Sequence, residues 1–255
     1  MAWLILYRLL ALVALPFALL YHGYRSLSRG RKSAFAERLG FLPTAARQRL
    51  ANQPVLWLHA VSVGEVMAAR PLLRVLRQQL SGYRLLLTVT TETGRRVAEQ
   101  DGLADLVTYF PFDVGFAVRR LLDGVAPQAI IIMETEIWPV FTLEASRRNI
   151  PLMLANGRIS ERSFPRYQTF AWFFRPILQC FSLVGMQSEA DLQRIRAIGA
   201  ETRNSTVVGN LKYDIPFGPV PEEERQQLRQ RYRIPVDCTV LTAGSTHPGE
   251  EQQVL

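Results

Sequence analysis

Two glutamates stand directly behind one of the most apolar runs in this chain: Ile130-Ile131-Ile132-Met133 is followed at once by Glu134 and Glu136. A third, Glu65, closes the segment His59–Glu65 (HAVSVGE). Cations occupy comparable positions, Arg158 in Ala155–Ser160 (ANGRIS) and Lys212 in Gly209–Asp214 (GNLKYD). Carboxylates and cations gathered in one cleft suit general-base chemistry on a substrate rich in phosphate. The carboxylate takes a proton and the cations offset charge.

Local structure accounts for part of this pattern. Ser62-x-x-Glu65 is also a capping box, in which the serine oxygen takes the amide three residues on and the glutamate reaches back. Thr91 and Thr93 read as helix caps, Asn156-Gly157 as a turn pair and Trp138-Pro139 as a helix start. Capping requires neither the Glu134/Glu136 pair nor Arg158 and Lys212 at the same edge. Several chemistries lack their signals. No G-x-G-x-x-G follows the first strand, no G-x-x-x-x-G-K-[ST] is present, and no D-x-D marks a metal-dependent sugar-nucleotide site. Three histidines and two distant cysteines, Cys180 and Cys238, signal neither a metal site nor a disulfide framework. Free thiols fit a reducing compartment.

The elements that must position these residues follow from the hydrophobic pattern. Short apolar runs at 55–60, 84–90, 106–110, 130–133, 152–155 and 183–186, with a last one ending near Val207, alternate with helical spacings at 65–80, 94–100, 116–122, 140–148, 167–179 and 189–198. Continuous apolar strands between helices predict a parallel sheet covered on both faces, a doubly wound α/β domain over 54–213. Ligands of such sheets bind beyond the carboxyl ends of the strands. There lie HAVSVGE, Thr88–Gly94 (TVTTETG), Tyr109–Asp113, Met133–Pro139 (METEIWP), ANGRIS and GNLKYD. Residues 214–221, with Pro216, Pro219 and Pro221, read as a linker. A second α/β domain opens at 222–255 with a helix near Glu222 and a strand at Thr239–Ala243. Its one βα unit cannot bury a core, so the chain is expected to be an incomplete form.

The chain opens with an apolar run, Ala2–Tyr21, whose only charge is Arg8, followed by Arg25, Arg29, Arg31 and Lys32. About 20 apolar residues suffice to cross a bilayer. A basic flank behind them fits a signal anchor with that flank in the cytoplasm. A helix lying in the interface fits as well, and a cleaved signal is the third reading. Residues 1–22 are therefore expected to anchor and 23–53 to form a basic juxtamembrane segment. Thirty Lys and Arg against 22 Asp and Glu, a formal net charge of +8, favour an anionic partner. Basic residues interleaved with exposed aromatics are absent, so nucleic acid is not expected.

HAVSVGE, METEIWP, ANGRIS, GNLKYD and Ser245–Glu251 (STHPGEE), in this order behind a basic-flanked anchor, resemble the Kdo transferases, which add 3-deoxy-D-manno-octulosonic acid to lipid A. The resemblance covers the chain from the anchor to Leu255. It implies a GT-B arrangement of two Rossmann-like domains, the first holding the lipid A precursor and the second CMP-Kdo, a co-substrate. Transfer would be inverting, need neither metal nor cofactor, and occur at the cytoplasmic face of the inner membrane. Carried over by motif, Glu65 is the general base, Glu134 and Lys212 stabilise the transition state, and Glu136 stands close to that role. Ser62, Gly64, Thr91, Arg158 and Asn210 are expected to bind substrate. The segments that would hold CMP lie beyond Leu255, so this chain is expected to bind acceptor without turning over.

Two other readings compete. Ala60–Gly64 approximates a G-x-S-x-G elbow, with Asp214 and His247 in hydrolase order, although alanine replaces the first glycine. A membrane-surface binding fragment without activity is the non-enzymatic alternative.

Overall fold

The computed structural model describes residues 2–28, 34–214, 220–235, 237–244, 246–247, 249–250 and 252. It divides into two compact units, 1–215 and 216–255.

In the first unit, α1 (Ala2–Ser28) is followed by two short helices, α2 (Phe35–Arg38) and α3 (Thr44–Leu50). Seven strands then alternate with helices: β1 (Val55–His59), α4 (Val63–Gln79), β2 (Arg84–Val89), α5 (Glu92–Asp101), β3 (Leu106–Tyr109), α6 (Gly115–Val125), β4 (Ala129–Met133), α7 (Pro139–Arg147) and β5 (Leu152–Gly157). The series closes with α8 (Phe164–Thr169), α9 (Ala171–Leu178), β6 (Leu183–Met186), α10 (Glu189–Ile198) and β7 (Ser205–Val207).

All pairings are parallel, in the order β3-β2-β1-β4-β5-β6-β7. Alternate side chains of each strand go to opposite faces. Trp57, Leu86, Ile130, Ile132 and Leu154 join Val118, Leu121, Phe141 and Ile195 in one core layer. Leu56, Leu58, Leu85, Leu87 and Ile131 join Val66, Ala69, Leu73 and Ala98 of α4 and α5 in the other. Both faces are covered, as the unbroken apolar strands require. The chain reverses its winding between β1 and β4. The crevice beyond their carboxyl ends is the topological switch point, where such sheets receive ligands.

The stretch 23–53 is built partly into this unit. The first helix runs on to Ser28, and Leu42 and Leu50 enter the core. Glu37 accepts from Arg95 (2.8 Å) and Thr108 (2.8 Å). Buried Arg38 donates to the Thr90 carbonyl (2.7 Å) and lies over the Tyr109 ring. Gly40 makes a close approach possible. Its φ is +82°, and a Cβ there would overlap the Ala117 carbonyl oxygen. Arg29, Arg31 and Lys32 lie outside the described residues, as do the side chain of Arg25 and 215–219 of the expected linker.

Two expectations are corrected. The helix read over 167–179 is two helices, α8 and α9, meeting at Phe170. Pro165 and Pro176 each lack an amide hydrogen to donate within a helix. In the second unit the helix near Glu222 is present as α11 (Glu222–Arg231), but 239–243 do not form a strand, and Val240 and Leu241 are exposed. A strand needs a neighbour to satisfy its amides, and the described residues of this unit offer none.

Candidate active site

The site is built from the loops behind β1, β2, β4, β5 and β7. Behind β1, Ser62 is the N-cap of α4, its hydroxyl accepting from the Glu65 amide (3.4 Å). The Glu65 carboxylate reaches back, accepting from the Val61 amide (2.8 Å) and the Ser62 hydroxyl (3.0 Å). The capping box is real, and it holds the carboxylate in one place at the switch point. Glu65 is only 6% exposed. Burial pushes its pKa up to about 7; the Val61 amide and Ser62 hydroxyl pull it down, and Glu134 and Glu136 push it up further. Desolvation therefore outweighs the hydrogen bonds at the helix N-terminus. The outcome is a carboxylate poised near neutrality, where a general base is most effective.

His59, on the same strand, is a different kind of residue. It is fully buried, stacked on Phe110 with ring centroids 3.9 Å apart, and its Nδ1 lies 3.0 Å from the Thr88 hydroxyl. Burial holds its pKa down to about 3, so it is neutral and structural at pH 7. The Ser62 hydroxyl is committed to Glu65, and among the described residues no histidine contacts it. The hydrolase triad is therefore not assembled at the described contacts of Ser62.

Behind β2, Thr91 caps α5, accepting from the Gly94 amide (3.1 Å). The amides of Thr90 and Thr91 both donate to the Val61 carbonyl (3.2 Å each), tying this loop to the Glu65 loop. Gly94 lets the two helix starts meet: a Cβ would lie 2.8 Å from the Thr91 hydroxyl and 3.4 Å from the Ser62 backbone. Gly64, by contrast, is exposed, and a Cβ there would make only an ordinary contact with the Ser62 hydroxyl at 3.9 Å.

Behind β4 the chain turns sharply at Glu134, whose φ is +55°, while its amide donates to the Ala155 carbonyl (2.8 Å). A non-glycine residue held left-handed costs about 1–3 kcal/mol and persists only where its surroundings dictate it. The turn aims Glu134 across the crevice toward Lys212, whose Nζ lies 4.0 Å from its carboxylate. Burial raises the pKa of Glu136, and Glu134 adds to the rise. Tyr167 of α8 is close enough to Glu136 for the carboxylate to raise the phenol's pKa, after burial.

Behind β5 stands a residue whose importance sequence did not convey. Asn156 is fully buried, with φ +59°, and belongs to the end of the strand rather than to a turn. Its side-chain oxygen accepts from the Leu211 amide (3.1 Å), and its backbone carbonyl accepts from Gln187 (3.0 Å). Asn156 thus ties down the short 3-10 turn Leu211–Tyr213 that carries Lys212. Asn210 caps the same turn, accepting from the Lys212 amide (3.0 Å). Arg158 is held by its backbone, which exchanges hydrogen bonds with the Thr135 hydroxyl, and its side chain is exposed. The N-G dipeptide could have flagged the positive φ of Asn156, but its reach to Leu211 spans 55 residues and has no local signal.

Other residues near the loops serve packing. Asp113, at the end of the Tyr109–Asp113 segment, caps α7 through the amides of Val140 (3.0 Å) and Phe141 (2.7 Å). Among the described residues, no three His, Cys, Asp or Glu side chains gather into a metal-holding group.

Residues 33–215 match the family model described as 3-deoxy-D-manno-octulosonic-acid transferase (kdotransferase). A 3-deoxy-D-manno-octulosonic acid transferase of Haemophilus influenzae is 32% identical over 255 residues, covering 99% of this chain and 58% of that protein. A probable mitochondrial 3-deoxy-D-manno-octulosonic acid transferase of Arabidopsis thaliana is 33% identical, covering 98% of this chain and 56% of that protein. The chain thus spans a little over half the length of these two relatives. In fold it is similar to Anabaena Alr3699/HepE, solved in complex with UDP, with a TM-score of 0.51 and 16% identity over 71% of this chain and 50% of that one.

Proposed function

The chain belongs to the 3-deoxy-D-manno-octulosonic-acid (Kdo) transferase family, and from that premise we propose that its first unit is the acceptor-binding half of a glycosyltransferase that moves Kdo from CMP-Kdo to a lipid A precursor. The observation that carries this reading is the Glu65 carboxylate. It is fixed at the switch point with its pKa pushed up to about 7, beside the Glu134–Lys212 pair.

In this reading the acceptor sugar lies in the crevice between the β1 and β4 loops. Its hydroxyl oxygen attacks the anomeric carbon of Kdo from the face opposite the CMP phosphate, inverting that centre. The new C–O bond forms as the bond to phosphate breaks and its electrons leave with CMP. Glu65 takes the hydroxyl proton. Lys212, held toward Glu134, offsets negative charge on the donor carboxylate or departing phosphate. Positioned charges of this kind are worth about 10²–10³ in rate. No metal is assigned a role. CMP-Kdo would be held chiefly by a second Rossmann-like domain of which 222–255 is the beginning, and the excess of basic residues suits a phosphate-bearing glycolipid at a membrane.

The test is a transfer assay with CMP-Kdo and lipid A precursor, using this sequence extended to the length of its relatives, alongside binding of the precursor to the present chain. Transfer that is lost in Glu65→Ala, with precursor binding retained by the short chain, is the expected result. Absence of both transfer and binding would overturn the reading.

A further inference from the structure

The first helix meets the folded unit near both of its ends. Near its start, the Trp3 ring packs edge-on against Phe173 of α9 (4.7 Å), and the Tyr7 hydroxyl donates to Asp113 (2.9 Å). Near its end, the His22 ring lies 5.8 Å from Phe112, and Gly23 approaches the Phe35 ring. Trp3 and His22 are separated by nearly 30 Å of helix, given about 1.5 Å of rise per residue. That distance is the thickness of a bilayer's hydrocarbon core. A helix that crosses a bilayer carries one end to the far side, whereas here both ends rest on the same unit.

Its two faces differ accordingly. Leu4, Tyr7, Ala11, Leu15, Ala18 and His22 recur every three or four residues and are buried or half-buried toward the unit. Ile5, Leu9, Val13, Phe17 and Leu20 form the outward stripe, each between 56% and 71% exposed. Over Trp3–Tyr24 the mean hydropathy is 2.2, far too apolar for a face left in water. The exposed Trp172 ring sits beside Phe173, continuing the apolar surface from the start of the helix, and exposed Phe170 lies at the start of α9, its carbonyl accepting from the Phe173 amide.

Arg8, the one charge of the run, faces the unit and pairs with Glu144 (3.2 Å). Three more arginines converge on Glu144: Arg119 (3.6 Å), Arg147 (3.2 Å) and Arg148 (3.0 Å), the last also bonded to Asp123 (2.8 Å). Four cations against two carboxylates leave a positive surplus at the helix flank, and Arg119 and Arg147 are half exposed.

We propose that the first helix is a monotopic anchor, lying in the plane of an anionic phospholipid surface with its outward apolar stripe, Phe170 and Trp172 in the acyl boundary and Arg119 and Arg147 against the headgroup phosphates. Apolar burial supplies the affinity and the arginines supply the preference for anionic lipid. Tryptophan at such a boundary keeps its ring in the apolar layer and its N–H in the wet one. The proposal does not depend on the transferase reading.

Two measurements test it. The chain is given an epitope tag ahead of Met1 and produced in a bacterial host, and intact spheroplasts are treated with protease. The tag should stay protected until lysis, with the chain in the membrane fraction. Digestion of the tag in intact spheroplasts would show a spanning helix and overturn the proposal, as would recovery in the soluble fraction. Purified chain is then floated with phosphatidylglycerol or phosphatidylcholine vesicles. It should prefer phosphatidylglycerol, and R119A with R147A should weaken that binding about 25-fold, from about fivefold per arginine near a headgroup surface. Equal binding to both vesicles, no effect of the double substitution, or self-association without vesicle binding would each overturn it.

Discussion

Replacing Glu65 with glutamine separates the chemical role of this residue from its structural one. Glutamine has the same shape, and its carbonyl can still accept from the Val61 amide while its amide donates to the Ser62 oxygen, so the capping geometry survives. What it lacks is basicity. Loss of a general base costs typically 10²–10⁴ in rate. The pH dependence is worked from the rise of the pKa from 4.5 to about 7. Transfer requires the ionised carboxylate, so kcat/KM should climb about tenfold between pH 6 and pH 8 as that group loses its proton. The same shift fixes a sign for stability. The folded-state value lies above the unfolded one, so the fold keeps a proton that the unfolded chain has released. The contribution of Glu65 to stability is fully present below pH 4.5, is lost through the window from 4.5 to about 7, and stays lost above it. The gap corresponds to about 3 kcal/mol at most, and to about 1–2 kcal/mol after solvent screening at the cleft. Glu65→Gln should abolish that decline while slowing transfer at least a hundredfold. The assays are Kdo transfer from pH 6 to 8 in the extended protein and urea unfolding of the present chain at pH 5 and 8. A variant that keeps more than a tenth of the parent rate, or a parent profile flat across this range, would refute the reasoning.

Lys212→Ala should cost transfer about 10²-fold with little change in unfolding midpoint. Its half-exposed pair with Glu134, at 4.0 Å, is worth under about 1 kcal/mol to the fold; a large loss of stability with rate preserved would contradict this. Asn156→Ala removes the bond to the Leu211 amide and places alanine at φ +59°. It should lower kcat more than it raises KM, while Asn156→Asp, which keeps the acceptor, recovers part of the rate; equal effects of the two would exclude a positioning role. Ser62→Ala should leave a transferase with its base and a modestly less stable α4, about 1 kcal/mol by chemical unfolding, whereas complete inactivation would point back to a serine nucleophile. Gly40→Ala should destabilise the first unit by several kcal/mol, because a positive φ and a clash with the Ala117 carbonyl coincide there; a thermal midpoint within 2 °C of the parent, on the usual scale of about 2–4 °C per kcal/mol, would refute it.

The sequence by itself determined the architecture. Apolar runs such as Leu85–Val89 and Ile130–Met133, each buried on both sides, admit only a covered parallel sheet, and that topology sends every strand-end motif to one edge. Its motifs also determined the family, since several weak patterns in one order are jointly specific. Tertiary structure decided what no local pattern encodes. Whether Glu65 is an ordinary cap or a base poised near neutrality turns on desolvation by burial in the fold, with the charges of Glu134 and Glu136, remote in sequence, adding to it. Asn156 read as a turn residue because its partner, Leu211, is 55 positions away. Residues 239–243 read as a strand, but a strand is a pairing, and their unit supplies no neighbour among its described residues. The apolar run of α1 satisfied the length and composition of a spanning helix and of an interfacial one equally. The proposal that it lies in the interface rests on contacts near both of its ends, at Trp3 and at His22, with one unit, because hydropathy measures how much surface must leave water and not in which direction it faces.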